Sequence, residues 1–216
     1  MDKKYAIFDL DGTLVSSMEY WSNIVNEYIN LNASNYKFDV DIMRKDNIYT
    51  MTLEELTKYL VEVIKVPFTV DEMLQGFDNL MENHYKNDIL LKDGVVDYLD
   101  KLYNNNVKMC VASSTKKNLI EFCLKNKNID KYFDFVISCR DVGKGKSNPL
   151  IYNTCAEKFS AKNNDIAVFE DSYVAMTTAK NAGFYVVGVY DKLSNDRIND
   201  SKLLADEFIE SFKNFN

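Results

Sequence analysis

The sequence predicts an α/β protein, in which a doubly wound parallel sheet carries an inserted α-helical domain. Short apolar runs without polar alternation are separated by amphipathic segments, which is typical of a parallel sheet with helices on both faces. Residues 15–90 instead show only helical periodicity. They hold 13 acidic and 6 basic side chains and so account for the net charge of −7 of the whole chain. We therefore predict a core domain of residues 1–14 and 91–216 and an inserted helical domain of residues 15–90.

Five apolar runs are the predicted strands of the core sheet. They are YAIFD at 5–9, VKMCVAS at 107–113, FDFVISC at 133–139, DIAVFED at 165–171 and FYVVGVY at 184–190. Helices are predicted between them, for example GVVDYLDKLY at 94–103 and SYVAMTTAKNAG at 172–183. We expect Gly183 to end the second of these helices, because glycine adopts the left-handed conformation of a helix C-terminus at little cost.

Three helices are predicted in the insert from apolar side chains that recur at helical spacing. These are Met18, Trp21, Ile24, Val25 and Tyr28 in the first helix, Leu53, Leu56, Leu60, Val63 and Ile64 in the second, and Met73, Leu74, Phe77, Leu80 and Met81 in the third. Thr52 with Glu55, and Thr69 with Glu72, have the spacing of a capping box. Pro67 lies in the break between the last two helices.

Composition argues against several classes of protein. The chain has no apolar run near the ~20 residues of a membrane span, and its N-terminus lacks the apolar stretch of a secretion signal. A sequence pI near 4.9 argues against binding to the phosphates of nucleic acids. We therefore expect a cytoplasmic protein that binds neither membranes nor nucleic acids. We also expect a monomer.

Cysteine and histidine usage narrows the chemistry further. Cys110, Cys123, Cys139 and Cys155 lack the spacing of a metal site, so we expect buried, reduced thiols. His84 is the only histidine, and it lies in a polar helical stretch where we expect a solvated side chain. A Ser-His-Asp or Cys-His mechanism would have to use it.

Polar side chains follow four of the predicted strands at the point where each strand ends. They are Asp9 and Asp11 after the first strand, Ser113 and Ser114 after the second, Lys146 after the third, and Glu170 and Asp171 after the fourth. Each residue type is common in loops when taken singly. Ligands of such sheets bind at the carboxyl ends of the strands, so these four loops are predicted to form one site. Side chains alternate along an extended segment, which puts Asp9 and Asp11 on the same side.

In these motifs the chain resembles the haloacid-dehalogenase-superfamily phosphohydrolases, and among them the beta-phosphoglucomutase-like group with a helical cap. DLDGTL, VASST, KSNP and FEDS match the four signatures of the superfamily in order. KDGVVDYLDKLY resembles the stretch that returns from cap to core, and ADEFIESF resembles the closing strand. The resemblance covers nearly the whole chain and implies that the insert is a cap domain.

The resemblance implies three catalytic residues. Asp9 is expected to be the nucleophile that becomes an aspartyl phosphate, Asp11 the acid–base partner, and Lys146 a contact of both the phosphate and Asp9. A second set is expected to bind the substrate or its phosphate, namely Thr13, Trp21, Ser113, Ser114 and Lys116. Two of these have an alternative interpretation, because Trp21 also fits a helix-packing stripe and Lys116 a solvated first helical turn.

The resemblance also implies Mg²⁺ as the cofactor, because carboxylate, carbonyl, water and phosphate oxygens are the ligands that this cation prefers. Asp9 and Asp171 are the expected carboxylate ligands. Asp11 is expected to contribute its backbone carbonyl. Glu170 is expected to bind the metal either directly or through a water molecule.

The predicted function is that of a Mg²⁺-dependent phosphatase, which hydrolyses a small phosphorylated metabolite, such as a sugar phosphate, through an aspartyl phosphate. The alternative is a phosphosugar mutase of the beta-phosphoglucomutase type, which must also hold a distal phosphate. The charge of −7 on residues 15–90 disfavours the mutase, since Lys37, Arg44 and Lys45 are the only basic cluster before the second cap helix. A receiver domain is disfavoured by the helical insert, and a dehalogenase by Asp11.

Overall fold

The computed structural model of the protein describes residues 2–33, 35–36, 52–194 and 197–215. The chain forms two compact units. One consists of Met1–Met18 and Tyr85–Asn216, and the other of Glu19–His84. The limits of 15–90 for the inserted domain stay a prediction from the sequence.

A sheet of six parallel strands, in the order β3-β2-β1-β4-β5-β6, organises the first unit. The strands are β1 Tyr5–Phe8, β2 Lys108–Ser113, β3 Phe135–Ser138, β4 Ile166–Glu170, β5 Tyr185–Val189 and β6 Glu207–Ile209. The five strands predicted from apolar runs, and the closing strand expected from the resemblance, are confirmed. In the middle of the sheet, Ile7 of β1 aligns with Cys110 of β2 and Val168 of β4. The strand order reverses beside β1, which is where doubly wound sheets bind their ligands.

The three helices predicted for the insert are confirmed among the described residues, except that the second ends at Glu62, before Val63 and Ile64. They are α1 Met18–Asn32, α2 Leu53–Glu62 and α3 Val70–Asn87. Before α2, the Glu55 carboxylate accepts a hydrogen bond from the Thr52 N–H at 2.7 Å, and the Thr52 hydroxyl accepts one from the Glu55 N–H at 3.2 Å. Thr69 and Glu72 make the same reciprocal pair before α3. Both predicted capping boxes are therefore formed.

The surroundings of His84, in the second unit, differ from expectation. Its side chain is only 11% exposed, and Nε2 lies 2.9 Å from Glu27 Oε2. The ring of Tyr20 packs against the imidazole, with 4.6 Å between the centroids. The prediction of a solvated histidine is wrong, because α1 supplies two partners that the polar sequence around His84 does not reveal.

The remaining helices pack around the sheet of the first unit. They are α4 Val95–Asn104, α5 Lys117–Asn126, α6 Cys139–Val142, α7 Leu150–Phe159, α8 Tyr173–Asn181 and α9 Ile198–Leu204, with short 3-10 turns at Asp130–Tyr132, Asn163–Asp165 and Phe212–Asn214. Gly183 follows α8 with a φ of +86°, which is the conformation expected of it. In the part of the chain that the structure describes, no helix has the length and apolar character of a membrane span.

Apolar side chains cover both faces of the sheet. On one face, Ile7 belongs to a cluster that includes Tyr152 of α7 and Met176 of α8. On the other face, Phe8 stacks on Phe169 with 4.3 Å between the ring centroids. Burial on both faces explains why the strands lack polar alternation. The four cysteines are buried and free, as predicted.

Candidate active site

The carboxyl ends of three neighbouring strands and one loop bring the predicted site residues together within the first unit. Asp9 follows β1, Ser113 ends β2 and Glu170 ends β4. The Asp9 N–H donates to the carbonyl of Phe169 at 3.0 Å, so the loop after β1 starts beside the end of β4. Lys146 comes from the loop between α6 and α7.

Asp9, Glu170 and Asp171 form a group that we call the inner carboxylate cluster. Their exposed fractions are 6%, 1% and 7%. One carboxylate oxygen from each residue lies within 4.8 Å of the other two. Lys146 Nζ lies 2.5 Å from Asp9 Oδ1 and 2.6 Å from Glu170 Oε1. Lys146 therefore brings one positive charge to a site that contains three carboxyl groups.

Burial governs the protonation of the inner carboxylate cluster. It raises the pKa of Glu170 to about 8, against the opposing effect of Lys146. Burial and the charge of Asp9 raise the pKa of Asp171 to about 7, and burial also raises the pKa of Asp9. Burial would lower the pKa of Lys146, but the charges of Asp9 and Glu170 outweigh it and raise that pKa. An ionised carboxylate is therefore costly in this cluster, even beside Lys146.

The donor atoms of this cluster fit a divalent cation. Three buried carboxylates supply the hard oxygen ligands that Mg²⁺ prefers. Glu170 Oε1 accepts hydrogen bonds from Lys146 and Tyr152. Glu170 Oε2 is buried and has no hydrogen-bond partner among the described residues. A buried carboxylate oxygen without a partner is costly, and a cation beside it would remove that cost.

Asp11 lies in a different environment, where hydroxyl groups hold its carboxylate. The Ser17 hydroxyl and the Tyr85 hydroxyl both donate to Oδ1 at 2.6 Å. The Thr115 hydroxyl donates to Oδ2 at 2.7 Å. We call Ser17, Tyr85 and Thr115 the hydroxyl clamp. Because hydroxyl groups both donate and accept hydrogen bonds, the clamp can hold Asp11 in either protonation state.

The turn between the two aspartates brings the chain close to Asp171. Gly12 has a φ of +80°, and a Cβ atom at this position would overlap the Asp171 carboxylate. Only glycine meets both demands. Thr13 is fully buried, and its hydroxyl donates to Asp171 Oδ1 at 3.5 Å. Its predicted contact with the phosphate stays a prediction.

The predicted phosphate-binding residues lie around the end of β2. Ser113 is 1% exposed, and its hydroxyl accepts a hydrogen bond from the Thr115 N–H at 3.1 Å. Ser114 is exposed, with Oγ 3.7 Å from Cys139 Sγ. Lys116 occupies the N-cap position of α5 and is partly buried.

The remaining substrate-binding predictions concern the insert. Trp21 is partly buried on α1, which belongs largely to the second compact unit. Both interpretations of Trp21, as a pocket residue and as a helix-packing residue, therefore stay predictions. The basic cluster of the insert lies outside the described residues; it consists of Lys37, Arg44 and Lys45.

Several hydroxyl groups at the site were missed by sequence reasoning. Besides the hydroxyl clamp, they include Tyr152, which donates to Glu170, and Ser194, which donates to Asp171 Oδ2. Tyr152 lies among the apolar side chains of α7, so the sequence pattern indicates only a core residue. Ser194 follows the last long strand. A search of that loop for a hydroxyl could have found it, since β5 pairs in parallel with β4 and the loop after β5 begins beside the end of β4.

The family model for haloacid dehalogenase-like hydrolases matches residues 6–189. The chain belongs to this family. A phosphorylated carbohydrates phosphatase from Thermotoga maritima is 26% identical in an alignment of 209 positions, which covers 93% of this chain and 89% of that relative.

Solved structures extend the similarity to the fold. CbbY from Rhodobacter sphaeroides in complex with phosphate has a TM-score of 0.83 at 18% identity, over 99% of this chain and 96% of that one. The beta-phosphoglucomutase from Clostridium difficile has a TM-score of 0.74 at 19% identity, over 99% of this chain and 93% of that one. The predicted family and the predicted α/β fold are confirmed.

Proposed function

We propose that this hydrolase is a Mg²⁺-dependent phosphatase, which releases phosphate from a small phosphorylated metabolite, such as a sugar phosphate, through an aspartyl phosphate on Asp9. The observation that carries the proposal is the close grouping of Asp9, Asp171 and Lys146 at the carboxyl ends of β1 and β4, with Asp11 two residues after Asp9. The Thermotoga maritima relative, which is named as a phosphatase of phosphorylated carbohydrates, supports the reaction class.

The reaction takes two displacements at phosphorus. In the first, a carboxylate oxygen of Asp9 forms a bond to phosphorus, the bond from phosphorus to the substrate oxygen breaks, and Asp11 gives its proton to the departing alkoxide. In the second, water attacks the same phosphorus, Asp11 takes a proton from that water, and the bond to Asp9 breaks. The products are an alcohol and inorganic phosphate, and both aspartates return to their starting states.

The inner carboxylate cluster is the proposed metal site. Asp9, Glu170 and Asp171 would hold Mg²⁺ through carboxylate oxygens, together with the backbone carbonyl of Asp11. Bound Mg²⁺ supplies the positive charge that lets a phosphate dianion approach these carboxylates.

Positive and hydrogen-bonding groups complete the phosphate site. The ammonium group of Lys146, 2.5 Å from the Asp9 carboxylate, is positioned to offset the charge that develops on the phosphoryl oxygens. Ser113 would donate its hydroxyl to one of those oxygens. Thr13, Ser114 and Lys116 remain the further proposed contacts of the substrate or its phosphate, and Trp21 remains a proposed pocket residue.

Product analysis with purified protein and Mg²⁺ tests this function. Small monophosphates should release inorganic phosphate, and bisphosphates and nucleotides should be poorer substrates. One incubation separates the phosphatase from the mutase: beta-glucose 1-phosphate with a trace of the 1,6-bisphosphate. Free phosphate is the expected product. Rapid formation of glucose 6-phosphate with little free phosphate would contradict the phosphatase and support the mutase.

A further inference from the structure

The two carboxylate oxygens of Glu170 have unequal surroundings. Oε1 accepts a hydrogen bond from the Tyr152 hydroxyl at 2.8 Å and lies 2.6 Å from Lys146 Nζ. Oε2 is buried and has no hydrogen-bond partner among the described residues. Both donors to Glu170 are therefore on Oε1, and the described residues offer none to Oε2.

Tyr152 differs from Lys146 in how firmly it can hold Oε1. It is fully buried on α7, in the apolar cluster that contains Ile7 and Phe184. Its ring packs against Phe184 with 6.0 Å between the centroids. A packed aromatic ring has few rotamers, so its hydroxyl oxygen is fixed in space. Lys146 has a long flexible stem and shares its ammonium group between Glu170 and Asp9.

We propose that Tyr152 is a positioning residue, which holds Glu170 so that Oε2 faces the metal site and binds the cation directly. The inference rests on the proposed Mg²⁺ site. With Oε1 occupied by two donors, rotation of the carboxylate would cost both hydrogen bonds. The hydroxyl group is not needed to fill the core, since a phenylalanine would pack against Phe184 equally well. Its role therefore lies in its bond to Glu170.

Tyr152→Phe tests the inference, with Tyr132→Phe as the matched control. Tyr132 is also buried, and its hydroxyl also donates to a carboxylate, Asp100 Oδ1, at 2.5 Å. It precedes β3, so it lies at the opposite end of a strand from the inner carboxylate cluster. Mg²⁺ binding is measured by titration calorimetry without substrate. Tyr152→Phe should weaken binding about tenfold, as is usual when the partner of a metal ligand is lost, and the control should bind as the wild type does.

A double-mutant cycle separates positioning from a general effect on structure. If Tyr152 acts through Glu170, then Tyr152→Phe should cost nothing more in Mg²⁺ affinity once Glu170→Ala is present. A further tenfold loss in that background would overturn the inference. So would a Tyr152→Phe protein that binds Mg²⁺ within about twofold of the wild type.

A second pair of variants leaves Tyr152 intact, in case Tyr152→Phe does not fold. In Glu170→Gln, the donors on the Oε1 side would attract the amide oxygen and turn the NH₂ group toward the cation. Glu170→Gln should therefore bind Mg²⁺ more weakly than Glu170→Ala, in which a water molecule can enter. Equal or tighter binding by Glu170→Gln would contradict the inference.

Failure of the inference and failure of the proposed function give different results. A wild-type protein that binds Mg²⁺ and releases phosphate, beside a Tyr152→Phe protein with unchanged Mg²⁺ affinity, would refute only the role of Tyr152. A wild-type protein that neither binds Mg²⁺ nor hydrolyses phosphate esters would refute the proposed function itself.

Discussion

The carboxylates at the carboxyl ends of β1 and β4 occupy two environments that differ in how their charge is balanced. The inner carboxylate cluster is buried and is paired with the ammonium group of Lys146. Asp11, two residues after Asp9, is held by the neutral hydroxyl clamp. Two aspartates only two residues apart therefore lie in different surroundings.

The difference follows from what each environment does to a negative charge. Burial raises the pKa of Glu170 to about 8 and that of Asp171 to about 7, so an ionised carboxylate is costly in the inner region. A bound cation would lower that cost. Around Asp11, hydroxyl groups can turn from donors into acceptors, so they can bond to its carboxyl group with or without a proton. We interpret the inner region as the site of metal and nucleophile, and Asp11 as the site of proton transfer.

Removal of the nucleophile should have the largest effect. Asp9→Asn should lower kcat by at least about a thousandfold, because the amide cannot attack phosphorus and is a poor ligand for Mg²⁺. Phosphate release is the measurement. Asp97→Asn, at an exposed position of α4, is the matched control and should keep full activity. Retention of more than a few per cent of activity by Asp9→Asn would remove Asp9 from its proposed role.

Removal of the metal should have a similar effect on activity, but a reversible one. EDTA should stop phosphate release and added Mg²⁺ should restore it. Ca²⁺ should inhibit, because its larger and looser coordination does not reproduce an octahedral site. Mg²⁺ at 100 times its Kd should also stabilise the fold by about 2.7 kcal/mol, measured by denaturant unfolding. Full activity in chelator would contradict the metal site.

Loss of the acid–base group should depend on the leaving group. Asp11→Asn should lower kcat/KM for an alkyl phosphate, such as glycerol phosphate, by roughly 10²- to 10⁴-fold, because the alkoxide needs a proton. For p-nitrophenyl phosphate, whose leaving group needs none, the loss should be far smaller. Equal losses with both substrates would show that Asp11 does not act as the acid.

The hydroxyl clamp should give the smallest effects, with the same dependence on leaving group. Tyr85→Phe and Thr115→Val each remove one hydrogen bond to Asp11, so kcat/KM for the alkyl phosphate should fall about two- to tenfold. Thr178→Val, on the exposed side of α8, serves as the control for loss of a threonine hydroxyl. A loss that is the same for alkyl and aryl phosphates would assign the clamp a structural role only.

The sequence predicted those parts of the molecule that follow from periodicity and from strand ends. Apolar runs identified the strands because both faces of the sheet are buried, and the parallel topology then placed Asp9 and Glu170 at one edge. Capping boxes were predictable because both of their partners lie within one helical turn.

The missed features depend on contacts between residues far apart in the chain. Tyr85 and Thr115 reach Asp11 across separations of 74 and 104 residues, and no local pattern marks them. Tyr152 occupies a core position, and periodicity does not distinguish tyrosine from phenylalanine at such a position. His84 was predicted to be solvated because its neighbours in sequence are polar, yet its partners are on another helix.

The most direct test of the account is to trap the phosphorylated protein in the Asp11→Asn variant. With p-nitrophenyl phosphate and Mg²⁺, the first displacement needs no acid, whereas the second lacks the base that activates water, so the intermediate should accumulate. The release of p-nitrophenol should show a burst equal to the amount of protein. After acid quenching and digestion, mass spectrometry should find one phosphoryl group on the peptide that contains Asp9. Turnover with no phosphoryl group on Asp9, or with one on another residue, would contradict the division of labour between Asp9 and Asp11.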